Sequence, residues 1–126
     1  MLKPLSTGSD IVFVMNSIEL EHSLCSEITD FLKEHIYDGI TLDQICENTF
    51  YSKTFLNTIF KKSAGMPIIK YYNYLKIQEA KRMIRKGDPI AAVGAKLNLE
   101  SATYFTKVFK RYTNMTPSEY KKTLLK

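Results

Sequence analysis

The sequence predicts an all-α fold of about seven helices, two helical pairs joined by one long connector helix. Three observations predict it. Apolar residues recur at spacings of three and four from Glu21 onward, and only Ile11 to Met15 (I-V-F-V-M) reads equally as a short strand. Ser, Thr and Pro stand where the periodic stretches begin, and Gly or Asn where they end. Finally, one helical unit occurs twice. Residues 54–67 read T-F-L-N-T-I-F-K-K-S-A-G-M-P, and residues 103–117 read T-Y-F-T-K-V-F-K-R-Y-T-N-M-T-P. Phe60 and Phe109 lie 49 positions apart, an offset that also pairs Thr54 with Thr103, Ile59 with Val108, Lys61-Lys62 with Lys110-Arg111, and Met66 with Met115. Upstream the offset is 48, pairing Leu42 with Ile90 and Ile45 with Val93, so one residue has been added at the turn. Turns tolerate such insertions best.

Each element has a local reason. Residues 1–20 form a leader. Leu24, Ile28, Phe31 and Leu32 mark the first helix, from Glu21 to a stop at Asp38-Gly39. Thr41 reads as an N-cap and Gln44 completes a capping box for a short helix, Leu42 to about Asn48. Ser52 caps the next helix, Lys53 to about Lys62, with Phe55, Leu56, Ile59 and Phe60 as its apolar stripe and Gly65 as its end. Pro67 opens the connector over residues 67–86, through Tyr72, Leu75, Ala80, Met83 and Ile84 to Gly87. The second copy follows over residues 89–113: a short helix from Ile90, a turn at Asn98, and a longer helix from Ser101 to about Tyr112. Thr116-Pro117 starts a closing helix.

Composition bounds the function. The chain has 126 residues, 44% apolar and 25% charged, which suits one globular domain or two small subdomains. No apolar run is long enough to span a bilayer, and the polar start lacks a signal-peptide core, so a cytoplasmic protein is expected. Cys25 and Cys46 lie in apolar-periodic stretches without metal-ligand spacing and read as buried free thiols. Charge is unevenly divided. Residues 1–40 hold two basic and seven acidic side chains, and the remaining 86 hold 16 and six, giving −5 and +10. A basic repeat-bearing region behind an acidic leader points to a polyanionic partner.

A short helix, a tight turn and a longer helix form a helix-turn-helix, whose second helix enters the DNA major groove. The first pair spans residues 41–65 and the second 89–113. On the second helices the positions left free by the apolar stripe are Lys53, Thr54, Asn57 and Thr58, then Thr103, Thr106 and Lys107. These types suit base edges: Asn offers two bonds to adenine, Thr a hydroxyl or methyl, and Lys a donor to guanine. The terminal pairs Lys61-Lys62 and Lys110-Arg111 suit phosphates. Phe55, Phe60, Tyr104, Phe105 and Phe109 fall on the apolar stripe and read as core, which disfavours RNA base stacking. The nineteen residues 68–86 of the connector span about 28 Å, which with the width of the flanking helices approaches the roughly 34 Å between successive major-groove turns on one face of DNA.

Residues 21–123 resemble the AraC/XylS-type DNA-binding domain of bacterial transcription regulators. The sharpest match is I-A-A-V-G…N-L-E-S-A-T-Y-F-T-K-V-F-K-R-Y-T-N-M-T-P-S-E-Y, residues 90–120, supported by Y-S-K-T-F-L-N-T-I-F-K-K-S-A-G-M (51–66) and Y-L-K-I-Q-E-A-K (74–81). The resemblance implies a homeodomain-like seven-helix domain of two helix-turn-helix subdomains. It places base reading on Thr54, Asn57, Thr58, Thr103, Thr106 and Lys107. It also implies double-stranded DNA as partner, RNA polymerase as a second one, and association with the nucleoid. Residues 1–20 are then either the remnant of an N-terminal regulatory domain through which copies would homodimerise, or its linker, or the leader of a stand-alone regulator. Three departures stand out: Asn98 and Asn114 where the family often has Gly, Gly94 for Ala, and Phe50 for a small turn residue. A helical protein-interaction module is the rival reading. An enzyme fits worst, because His22 and His35 lack partners at ligand spacing and no phosphate loop, catalytic triad or cofactor motif is present.

Overall fold

Four helices start on a hydroxyl side chain that the sequence places at their N-terminus, Thr41, Ser52, Ser101 and Thr116. The structure, a computed structural model, describes residues 17–125. Among these residues seven helices and no strand occur: α1 Ser17–Glu34, α2 Leu42–Glu47, α3 Lys53–Ala64, α4 Ile68–Lys86, α5 Ile90–Lys96, α6 Ala102–Thr113 and α7 Pro117–Thr123. The ambiguous stretch Ile11 to Met15, and most of the leader, lie outside the described residues. Two compact units share the chain, one holding Ile40–Tyr72 with the described residues 17–35, the other Ile36–Gly39 with residues 73–125.

In the first unit, Leu24, Ile28 and Leu32 of α1 are fully shielded and share a core with Ile45, Leu56, Ile59, Phe60 and Ile68. Burying one such side chain stabilises the fold by about 1.5–3 kcal/mol. Phe60 also meets Tyr71 edge-on at 5.4 Å, and the Tyr72 hydroxyl donates to His35 O at 2.6 Å. Cys25 is buried and Cys46 half-buried, both as free thiols, so the expected burial holds for the first alone. α1 starts four residues before Glu21, because its first turn precedes the apolar stripe from which a start can be read.

α1 ends at Glu34, well before Asp38, because the next residues bond elsewhere. Ile36 packs on the second unit's core. The Tyr37 hydroxyl bonds the Glu79 carboxylate, and Lys76 Nζ donates to Asp38 O at 3.2 Å. That core is built from Ile77, Ala80, Met83, Ile84, Val93, Leu97, Val108 and Phe109. Leu75, placed on the stripe from sequence, is only half-buried, and Ile77 is fully buried instead. Left-handed turns close helices at Gly65 (φ 82°) and Asn114 (φ 64°), and Asn98 takes φ 56° between α5 and α6. Asn reaches this region with little penalty, which explains why these two turns can be made without Gly.

Gly94 has a packing reason as well. A Cβ there would lie 2.8 Å from Phe105 Cδ2 and 3.0 Å from Cγ, and Phe105 is buried and held edge-on against Phe109. Gly94→Ala should therefore destabilise the protein by about 1–2 kcal/mol in chemical denaturation, because overpacking at ~1–3 outweighs the helix-propensity gain of up to ~1. Lys76 gives a second test. It is 3% exposed, and burial pushes its ammonium down to about 8 against the opposing pull of Asp38. Between that value and the ordinary 10.5 the unfolded chain binds the extra proton, so stability rises with pH across this window. Melting curves of the unaltered protein should climb relative to those of Lys76→Met from pH 8 upward.

Candidate nucleic-acid interface

α2 has six residues, too few to persist alone, and its ends are tied accordingly. Thr41 Oγ1 accepts from Gln44 N–H at 3.2 Å, and Gln44 Oε1 accepts from Thr41 N–H at 2.8 Å. In the following turn Asn48 Nδ2 donates to Gln44 O at 2.8 Å. Thr49 Oγ1 donates to Cys46 O and accepts from Tyr51 N–H, each at 3.2 Å. Ser52 then caps α3 by accepting from Phe55 N–H at 3.1 Å. Phe50 takes no part in these bonds and is 74% exposed. Phe55, expected in the core, is 39% exposed and stacks on Tyr51 at 4.8 Å. The neighbouring Tyr51 ring gives it apolar contact outside the core.

The rotation of α3 about its axis is set by Leu56, Ile59 and Phe60, which are buried. Thr54, Thr58 and Lys61 therefore lie exposed along one stripe, with Asn57 half-buried at its edge. Two of these groups already have partners. Thr58 Oγ1 donates to Thr54 O at 2.7 Å, which leaves its methyl group and an acceptor lone pair for another molecule. Asn57 Oδ1 accepts from Ile68 N–H at 3.1 Å, across to the start of α4. Lys53 forms an ion pair with Asp43 that raises its pKa. Lys62 stands 3.8 Å from Glu21.

The second copy repeats the frame with a different surface. Pro89 precedes α5 without any side-chain cap bond. Asn98 turns the chain, Leu99 N–H bonds Gly94 O at 3.1 Å, and Ser101 caps α6 by accepting from Tyr104 N–H at 3.0 Å. Phe105, Val108 and Phe109 are buried. Thr103, Thr106, Lys107, Lys110 and Arg111 are all exposed. Among the described residues no ion pair involves Lys107, Lys110 or Arg111. Neither α3 nor α6 contains an acidic residue.

Within each copy the stripe positions thus share one face, whereas Lys53 and Lys62 lean toward acidic neighbours. Those neighbours were missed from sequence: Glu21 is brought to Lys62 by tertiary packing alone, and Asp43 lies on a different helix from Lys53. No group of His, Cys, Asp and Glu among the described residues could hold a metal ion. Such faces offer hydroxyls, methyls and cationic donors, which match the acceptors and thymine methyl groups of the major groove and the phosphates beside it.

A family model described as a helix-turn-helix domain matches residues 45–123, more than half of the chain. The chain is similar to the HTH-type transcriptional activator AarP of Providencia stuartii, 28% identical over 104 residues, covering 82% of this chain and 77% of that one. It is equally similar to the multiple antibiotic resistance protein MarA of Escherichia coli, 28% identical over 97 residues and 76% of each chain. Among solved structures, a transcriptional regulator with an AraC-type DNA-binding domain from Chromobacterium violaceum superposes with a TM-score of 0.75 at 21% identity, over 83% of this chain and 95% of that one. The C-terminal domain of AraT from Geobacillus stearothermophilus gives 0.74 at 19% identity, over 79% and 84%. These two share the fold. With the family match, the sequence relatives and the paired capped helices in agreement, the chain belongs to the AraC-type helix-turn-helix family of DNA-binding transcription regulators.

Proposed function

We propose that each unit of this regulator reads one segment of the DNA major groove, the first through α3 and the second through α6. The observation that carries the reading is the register of the two helices. Both are capped by serine, both bury three residues at matching positions, and both present polar and basic side chains at i, i+3, i+4 and i+7 without an acid. In this reading Thr54, Thr58, Thr103, Thr106 and Lys107 meet base edges, while Lys61, Lys62, Lys110 and Arg111 meet phosphates. Lys53 reaches DNA by exchanging Asp43 for it. Asn57 is the exception, because its amide oxygen is bonded within the protein.

Further parts of the reading rest on the relatives. AarP is named a transcriptional activator, and activation implies contact with RNA polymerase. Among the described residues no helix is long and apolar enough to cross a membrane, which accords with a cytoplasmic protein bound to the nucleoid. The reading keeps residues 21–123 as the DNA-binding domain.

The experiment that tests the reading is selection of bound sites from a random duplex library at two salt concentrations. A bipartite site with half-sites about one helical turn, roughly 10 base pairs, apart is expected. No binding at low salt would overturn it. Replacing Lys61, Lys62, Lys110 or Arg111 by Ala should weaken all sequences alike and flatten log K against log salt by about 0.9 per lost phosphate contact. Lys107→Ala should instead cost about 1–3 kcal/mol at one base pair and relax preference there alone, as titrations of single-substitution operators would read.

A further inference from the structure

The first copy carries asparagine where the second has threonine, and the asparagine has a task that the threonine is spared. α4 starts at Ile68, directly after Pro67. The first N–H groups of a helix have no partner within it. Pro67, at the capping position, has no side-chain oxygen to offer them. Asn57 supplies one from α3, accepting from Ile68 N–H at 3.1 Å, and the Ile68 side chain beside it is fully buried. Because the donor is an N–H, the bond fixes the amide with its carbonyl toward α4.

The second copy meets the same need differently. At the offset of 49, Pro67 and Ile68 correspond to Thr116 and Pro117. Thr116 caps its own helix, accepting from Glu119 N–H at 3.1 Å while Glu119 Oε1 accepts from Thr116 N–H at 2.8 Å. Pro117 has no N–H to satisfy. Thr106, the counterpart of Asn57, stands exposed. The donor at 68 finds its acceptor at 57; where the donor is missing at 117, the amide is missing at 106.

We propose that Asn57 is a positioning residue and not a base reader: it ties α3 to the start of α4 and so fixes how Thr54 and Thr58 meet the groove. Reading adenine takes both the carbonyl and the amino group of an asparagine, turned together toward the base edge, and here the bond from Ile68 N–H turns the carbonyl toward α4 and occupies one of its two lone pairs. The inference rests on the DNA reading above, but its first arm needs no DNA. Melts of Asn57→Ala should fall by several degrees, as loss of a cap requires. Asn57→Asp, whose carboxylate accepts the same N–H, should stay near the unaltered protein. Asn57→Ala combined with Pro67→Thr should recover the melt, because the introduced threonine can cap α4 as Thr116 caps α7. In site selection Asn57→Ala should weaken every site by one factor and leave base preferences unchanged.

An unchanged melt for Asn57→Ala overturns the cap. Relaxed preference at a single base pair, roughly fivefold or more, overturns the positioning role and makes Asn57 a reader. If Asn57→Ala does not fold, Asn57→Asp decides: it keeps the acceptor and lacks the amino donor, so unaltered base preference supports the proposal and relaxed preference overturns it. Failure of the unaltered protein to bind DNA overturns both the DNA reading and the positioning role, while the melts still decide the cap.

Discussion

The constraint on which the rest depends is rotational. A helix is useful for reading DNA only if the same side chains face outward in every molecule, and here three buried positions per helix settle that. Leu56, Ile59 and Phe60 on α3, and Phe105, Val108 and Phe109 on α6, each occupy little more than one turn. Close-packed interiors do not let such residues exchange places with threonine or lysine without large loss. Once those faces are fixed, the outward stripe follows from helical geometry alone. Serine caps then fix where each helix begins, so that rotation and start point are both determined within a few residues.

This explains what was legible in the sequence. Caps and apolar spacing act over three or four residues, so Thr41, Ser52, Ser101 and Thr116 announced their helices, and the repeated Phe60 and Phe109 announced the shared frame. The features that escaped are those set by residues far along the chain. Phe55 carries a core-like signal but finds Tyr51 outside the core. Lys76 reads as a surface lysine and is buried, held by a carbonyl 38 positions away. The bond between Asn57 and Ile68 spans 11 residues and two helices, so nothing local marks that asparagine as different from its neighbours. The predicted end of α1 near Asp38 missed because tertiary bonds at Tyr37 and Asp38 outcompete another helical turn.

The two copies share a frame and differ in electrostatic surroundings. In the first, Asp43 and Glu21 lie beside Lys53 and Lys62; in the second, the cations Lys107, Lys110 and Arg111 stand on an exposed face. An acid beside a surface lysine holds little stability but lowers the local positive potential. A shared core therefore leaves the outward faces free to differ, the first with lysines beside acids, the second with exposed cations that have no acid paired to them among the described residues. Even the cap of the following helix has diverged, from an asparagine borrowed across helices to a self-contained threonine.

The pairing of Gly94 with Phe105 bears on the order in which this sequence can change. A glycine inside a seven-residue helix costs local stability, yet the ring that fills the space above it blocks a one-step change to alanine. Positions in such contact do not contribute independently. A lineage holding this pair can leave it only by changing both residues, or by passing through a weaker intermediate, so the two sites are bound by history as well as by packing.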